Sequence, residues 1–147
     1  LSDLYNGKFE GEELRWNKGK PNTELISRYY DHLDKEGLRP KTKATAIQIG
    51  RPANILKGLR AVEFTNGVSN TVSDAEMLDG MSVVGLNGFD CEMASGASVV
   101  GIKKLMDEGV TKKDDVVGIL TGRQKDAMIP VDYHRNPENR FAIPPKN

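Results

Sequence analysis

The sequence has a single cysteine, no net charge and no long apolar run. Cys91 has no partner for an internal disulfide, and a lone thiol is typical of a reducing compartment such as the cytoplasm. The 21 basic residues are balanced by 21 acidic ones, which gives no indication of a nucleic-acid partner. No apolar run approaches the roughly 18 residues of a membrane-spanning helix, so we expect no membrane partner.

Histidine is also scarce, with only His32 and His134 in the chain. Neither lies in a spacing typical of metal ligands or of a catalytic triad. No base is close to Cys91 in the sequence, so a buried structural thiol is favoured over a nucleophile. We therefore predict no metal site.

Helix signals dominate what the sequence does contain. Residues 23–34 carry apolar side chains at helical spacing. Pro52 is suited to the first turn of a second helix. Ser73 and Glu76 form a capping box, which predicts a helix from residue 74 onward. The polar and aromatic segment before residue 44 has too few apolar residues for a core of its own, so we expect it to pack on other structure.

A further helix is predicted after Cys91, ending near Gly109. Ala94, Ala97 and Gly101 share one side of it, and side chains this small allow close packing. Two serines near its start, Ser95 and Ser98, are suited to bonding the free N–H groups of the first turn.

Short apolar runs alternate with these helices, at residues 44–49, 68–72, 89–91 and 116–120. The last run is uninterrupted, as in a parallel strand buried on both faces. The alternation predicts an α/β fold with a mostly parallel sheet, part of a three-layer α/β/α arrangement. Ligands of such sheets lie beyond the carboxyl ends of the strands, which points to the turns at 49–52 and 121–122.

Four segments in this order resemble the C-terminal part of threonine synthase, a family of fold-type II pyridoxal-phosphate enzymes. They are residues 45–52, 72–76, 91–98 and 120–122. The leading segment resembles an insertion found in one bacterial branch of the family. The family usually has Pro, Ala and His where this chain has Met93, Gly96 and Arg123.

The resemblance implies three segments and a tryptophan synthase β-like fold. Residues 1–43 would be the insertion packed on the body, 44–126 the C-terminal portion of the cofactor-binding domain, and 127–147 an irregular C-terminal wrap. Because the chain starts at Leu1 without an initiator Met, we expect it to be a portion of a longer polypeptide.

The implied activity is conversion of O-phospho-L-homoserine and water to L-threonine and phosphate with pyridoxal phosphate. The family's Schiff-base lysine and its cofactor-phosphate loop lie upstream of the matched region, and neither motif occurs here. We interpret Lys43 and Lys125 as surface charges. The resemblance thus implies that the isolated chain has no catalytic residue, is inactive and does not hold the cofactor.

The resemblance also implies a wall of the cofactor pocket. Thr121 would hydrogen-bond the pyridine nitrogen, and as a neutral hydroxyl it would not enforce protonation of the ring. Gly122 would allow a tight turn beside the ring. Ile49 and Gly50 would pass near the cofactor face.

Other functions remain open at this point. The chain could be an inert scaffold or interaction module of the same fold, or part of a threonine or serine dehydratase. An excised portion would expose surfaces that evolved to pack on missing structure, so we expect self-association or a homo-oligomer.

Overall fold

A computed structural model describes residues 1–17, 19–111 and 116–123. Its internal contacts divide the chain into two compact units that alternate along the sequence. Unit 1 combines Leu1–Lys41 with Gln48–Thr71, and unit 2 combines Thr42–Ile47 with Val72–Asn147. The boundaries of these units differ from the boundaries of the three segments that the resemblance implies. The division into three segments therefore stays a prediction. The wrap at 127–147 and the expectations for Lys125 and His134 fall outside the described residues.

Unit 1 contains three helices and a small hairpin. The elements are α1 (Ser2–Tyr5), β1 (Trp16–Asn17), β2 (Lys20–Pro21), α2 (Thr23–Lys35) and α3 (Ile55–Phe64), with β1 and β2 antiparallel. The helix expected at 23–34 is confirmed as α2. The helix expected to begin at Pro52 begins three residues later, at Ile55, and Asn54 is its N-cap residue.

The core of unit 1 joins the leading segment to the helix after Pro52. Five aliphatic side chains form it: Leu4, Leu14, Leu25, Ile26 and Leu59. Partly buried aromatic rings cover this cluster, including Trp16 and Tyr30. Four of the five aliphatic side chains come from the leading segment and Leu59 comes from α3. The segment predicted to have too few apolar residues for a core therefore supplies most of this one, and packs it against α3.

Among its described residues, unit 2 contains a short 3-10 turn (Thr45–Ile47) and two long helices, α4 (Asp74–Leu86) and α5 (Met93–Asp107). The predicted capping box begins α4. The Glu76 amide donates to Ser73 Oγ at 3.3 Å, and the Ser73 amide donates to Glu76 Oε2 at 2.6 Å. The predicted stop of α5 is also observed, since Gly109 follows it with a φ of 71°.

The two helices of unit 2 touch through their backbones. A Cβ built on Gly80 would lie 2.9 Å from the carbonyl carbon of Gly96. A Cβ built on Gly96 would lie 3.0 Å from the amide nitrogen of Met81. The absence of a side chain at Gly96 and at Gly80 therefore permits this close approach of α4 and α5. The helix predicted after Cys91 is confirmed as α5, and Gly96, outside the predicted set of Ala94, Ala97 and Gly101, makes a close contact with α4.

The four predicted strands are not strands in the described part of the chain. Residues 45–47 form the 3-10 turn, and 68–72, 89–91 and 116–120 have no regular structure; among the described residues β1 and β2 make the single sheet. Strands depend on neighbours for their hydrogen bonds, whereas helices bond within themselves. The run expected to be buried is exposed instead, with Val117 at 82% and Ile119 at 65%.

Candidate functional site

The Thr121–Gly122 turn is bonded to the first turn of α5. Ser95 Oγ accepts the amide N–H of Thr121 at 2.8 Å and that of Gly122 at 3.1 Å. Its own proton can reach Thr121 Oγ1 at 3.2 Å or the Gly122 carbonyl oxygen at 3.3 Å. The Ser95 side chain is completely buried, while Thr121 is exposed.

Glu92 adds a second attachment on the other side of the turn. Its amide donates to the Gly122 carbonyl oxygen at 2.9 Å. The Thr121 hydroxyl donates to Glu92 Oε1 at 3.1 Å. Because an ionised carboxylate only accepts hydrogen bonds, the proton in this pair must come from Thr121.

Gly122 leaves space for the Glu92 carboxylate to lie against the turn. A Cβ on Gly122 would be 2.6 Å from Glu92 Oε1 and 2.8 Å from its Cδ. Gly122 is predicted to allow a tight turn beside a cofactor ring, and in this structure its missing side chain also leaves space for the Glu92 carboxylate.

Charged groups and a thiol surround the turn. Cys91 is buried, as expected for a structural thiol, and this burial, followed by the Asp90 and Glu92 carboxylates, raises its pKa. Arg123 Nε lies 3.4 Å from Asp90 Oδ2, in an exposed ion pair. A less acidic, buried thiol is a poor nucleophile, because the thiolate is the reactive form.

The other two predicted site residues belong to unit 1. Ile49 and Gly50 line a cavity of about 660 Å³, together with residues of α2, α3 and the segment around Pro40. A Cβ on Gly50 would lie 3.2 Å from Cδ of Pro40, so this glycine permits a close contact within the unit. The predicted cofactor residues thus come from both units, and their common role stays a prediction.

Sequence reasoning missed the part played by Ser95 and Glu92. Ser95 was expected to cap the N–H groups of its own helix, but it accepts N–H groups 26 and 27 residues further along the chain. Glu92 is the N-cap residue of α5 and makes no side-chain capping bond. Both residues lie in the motif at 91–98, but that motif gave no indication of their partners at Thr121 and Gly122.

Of the groups that pyridoxal phosphate needs, the turn offers one. The cofactor needs a partner for its ring nitrogen, an amine for its aldehyde carbon and donors for its phosphate. Thr121 offers an exposed hydroxyl for the first of these. The amides of Thr121 and Gly122 are already bonded to Ser95, so these N–H groups are not available to a phosphate. Among the described residues, the hydrogen-bonded group of Thr121, Gly122, Ser95 and Glu92 includes no side-chain amine for the aldehyde carbon.

Neither a metal site nor a membrane span emerges from the part of the chain that the structure describes. No three His, Cys, Asp or Glu side chains there are grouped so that they could hold a metal ion. No described helix has the length and apolarity needed to cross a membrane.

Curated threonine synthases are similar to this chain, although no family model matches it. The enzyme of Methanosarcina acetivorans is 42% identical over 101 residues, which are 67% of this chain and 25% of that protein. The enzyme of Methanocaldococcus jannaschii is 39% identical over 85 residues, 56% of this chain and 21% of that protein. The enzyme of Synechocystis sp. is 44% identical over 84 residues, 56% of this chain and 22% of that protein.

The chain spans no more than a quarter of the length of these relatives. Identities near 40% over more than half of the chain agree with the resemblance seen in the four ordered segments. The chain therefore contains a threonine synthase-related region, as its sequence motifs predicted.

Proposed function

We propose that this chain is the C-terminal portion of a threonine synthase, which converts O-phospho-L-homoserine and water to L-threonine and phosphate. The observation that carries the proposal is the 42% identity to a named threonine synthase over 101 residues. Pyridoxal phosphate supplies the electron sink for such chemistry when it is bound. A cytoplasmic location agrees with the single free cysteine and belongs to the same proposal.

In this proposal the chain contributes Thr121 to the site, as the hydrogen-bond partner of the ring nitrogen. Its exposed hydroxyl is held by Ser95 and Glu92 at a fixed place. The remaining parts of the site, an amine and a phosphate cradle, would come from the portion of the relatives' length that this chain does not span. The isolated chain is therefore proposed to be inactive.

The fold-type II architecture is part of the proposal as well. Residues 116–120 are exposed, apolar and without regular structure. In the complete protein they would form a buried strand of a parallel sheet, because that environment suits an uninterrupted apolar run. In the isolated chain the same run would promote self-association. The sedimentation coefficient should then rise with protein concentration. A monomer at all concentrations would contradict the proposed self-association.

Phosphate release from O-phospho-L-homoserine with added pyridoxal phosphate tests the activity. The protein translated from the complete reading frame should release phosphate, and the isolated chain should not exceed a cofactor-only control. No release by the complete protein would refute the assignment. Turnover by the isolated chain would refute the proposal that the amine and the phosphate cradle lie outside this chain.

Two substitutions at one position test the role of Thr121 in the complete protein. Thr121→Val removes the hydroxyl and should weaken cofactor binding by about 5- to 150-fold, since an unsatisfied buried partner costs about 1–3 kcal/mol. Thr121→Ser keeps the hydroxyl and should lose far less. Titration of cofactor absorbance measures both affinities, and equal values for the two variants would remove Thr121 from the site.

A further inference from the structure

The turn at 48–51 is attached to Pro40 on one side. Gln48 Nε2 donates to the carbonyl oxygen of Pro40 at 2.8 Å. A Cβ on Gly50 would lie 3.2 Å from Pro40 Cδ, so the glycine backbone packs directly on the proline ring. Residues 48–51 belong to no helix or strand. Since they have no regular backbone hydrogen bonds of their own, contacts of this kind position them.

Arg51 attaches the other side of the turn to α2. Its guanidinium forms an ion pair with Asp34 Oδ2 and lies over the ring of Tyr30, 5.1 Å from the ring centroid. Arg39 Nη1 bonds the other oxygen of the same carboxylate at 3.2 Å. Arg39 directly precedes Pro40, and Arg51 directly follows Gly50. One carboxylate in the last turn of α2 therefore holds both sides of the contact between the proline and the glycine.

The stability of the fold does not account for this arrangement. The ion pair is half exposed, with 51% of the Asp34 side chain and 54% of the Arg51 side chain accessible. A pair so exposed adds little to the free energy of folding. It does limit the orientation of Arg51, because a planar guanidinium bound to a carboxylate and stacked on a ring has few alternatives. The direction in which the chain leaves the turn is fixed as a result.

We propose that Asp34 is a positioning residue for the turn that carries Ile49 and Gly50. It acts through Arg51 on the turn itself and through Arg39 on the segment against which the turn packs. Its importance rests on the proposed function, in which Ile49 and Gly50 pass near the face of the cofactor. The leading segment is then part of the frame of that site rather than a separate interaction module.

A contact measured by NMR in the chain itself tests this role without any cofactor. The nuclear Overhauser effect between the Gly50 α-protons and the Pro40 δ-protons reports the distance between them. Asp34→Asn keeps the size of the side chain but removes its charge, and it should cause a loss of this signal. Asp34→Glu keeps the carboxylate and should preserve most of it. Asp31→Asn, about one turn earlier on α2 and also exposed, is the matched control. An unchanged signal in Asp34→Asn, or an equal loss in Asp31→Asn, would overturn the proposal.

A double substitution tests whether the ion pair is the link. Arg51→Gln should weaken the same signal. Adding Asp34→Asn should then weaken it by less than the sum of the two single effects, because both substitutions remove one interaction. Additive effects would overturn the role of Arg51 in the link. Resonances of the buried Leu59 report whether each variant is folded.

The complete protein tests the consequence for the cofactor. Asp34→Asn should weaken pyridoxal phosphate binding by up to about fivefold, as expected for the loss of one exposed ion pair, and Asp34→Glu should recover most of the affinity. Titration of cofactor absorbance measures both, and the denaturation midpoint should change little. A lost Gly50–Pro40 contact with unchanged cofactor affinity would show that the turn does not face the cofactor. That outcome, or a failure of the unsubstituted protein to bind the cofactor, would refute the proposed function at this turn while the positioning role of Asp34 stands.

Discussion

The two units of the molecule pack their apolar residues in different ways. Unit 1 encloses five aliphatic side chains under a cover of aromatic rings, and Leu14 and Leu59 in it are fully buried. Unit 2 packs two helices through glycine backbones, yet leaves Val117 and Ile119 largely exposed. Unit 2 also encloses a buried cluster, around Met77 and Met93, and unit 1 also exposes Phe64. Among the described residues the difference between the units is therefore the uninterrupted exposed apolar run at 116–120.

The difference shows what each kind of element needs from the rest of the chain. The helices of both units make their backbone hydrogen bonds within themselves, and all but α4 do so without a side-chain cap. The apolar run at 116–120 has the composition of a buried strand but requires neighbouring strands. The following predictions test whether the units are separate in stability, from the largest expected effect to the smallest.

The core of unit 1 should be the most sensitive target. Leu59→Ala removes a fully buried side chain and should lower the free energy of unfolding by about 2–5 kcal/mol. The fluorescence of Trp16, the only tryptophan, measures the effect because this ring packs on the same cluster. Phe64→Ala in the same helix is the control, since Phe64 is 88% exposed and should cost little. Equal losses for the two variants would show that this cluster is not a core.

The glycine contact between α4 and α5 should come next. Gly80→Ala places a methyl group against the backbone of Gly96 and should destabilise unit 2 by about 1–3 kcal/mol. Methyl resonances of Met77 and Met81 follow this unit during denaturation, and Trp16 should report little change in unit 1.

A second glycine of α4 provides the control for that contact. A Cβ on Gly85 meets nothing within 4 Å, so Gly85→Ala should stabilise the helix by up to about 1 kcal/mol. Two alanine substitutions in one helix are therefore expected to have opposite signs. The same sign for both would contradict the close approach of the helices.

Helices were predictable from this sequence because their signals are local. The capping box at Ser73 and Glu76 and the stop at Gly109 were correctly identified. Strands were not, since pairing depends on residues far away in the chain or outside it. The close contact at Gly96 could not be read from the sequence either, because its partner Gly80 lies on another helix.

The candidate site was predictable in part. Thr121 was singled out from the end of an apolar run and from the resemblance. Ser95 and Glu92 were within a recognised motif, but their bonds to Thr121 join segments 26 and 29 residues apart. No spacing rule predicts such bonds, and the structure is needed to find them.

The cap of α4 should contribute less than the packing of either unit. Ser73→Ala removes the acceptor of the Glu76 amide and should cost about 1 kcal/mol, within the usual range for a lost N-cap. Chemical denaturation of unit 2 measures the loss. Ser73→Asp preserves an acceptor and should retain most of the stability, and a similar loss in both variants would contradict a capping role.

The smallest effect should be a loss of stability at acid pH that arises from Asp74. The Thr42 hydroxyl, and then the Lys43 amide at 2.9 Å, donate to this carboxylate and hold its pKa below the ordinary value. The unfolded chain, with an Asp pKa of about 3.9, then binds more protons than the folded chain near that pH. The stability from Asp74 is fully present above about pH 5 and is lost as the pH falls through the lowered pKa. Asp74→Asn should therefore differ from the unsubstituted chain more at about pH 6 than at about pH 3, as measured by chemical denaturation. Thr42→Val removes the larger cause and should reduce the acid dependence, whereas an equal difference at both pH values would show that the bonds do not favour the ionised carboxylate.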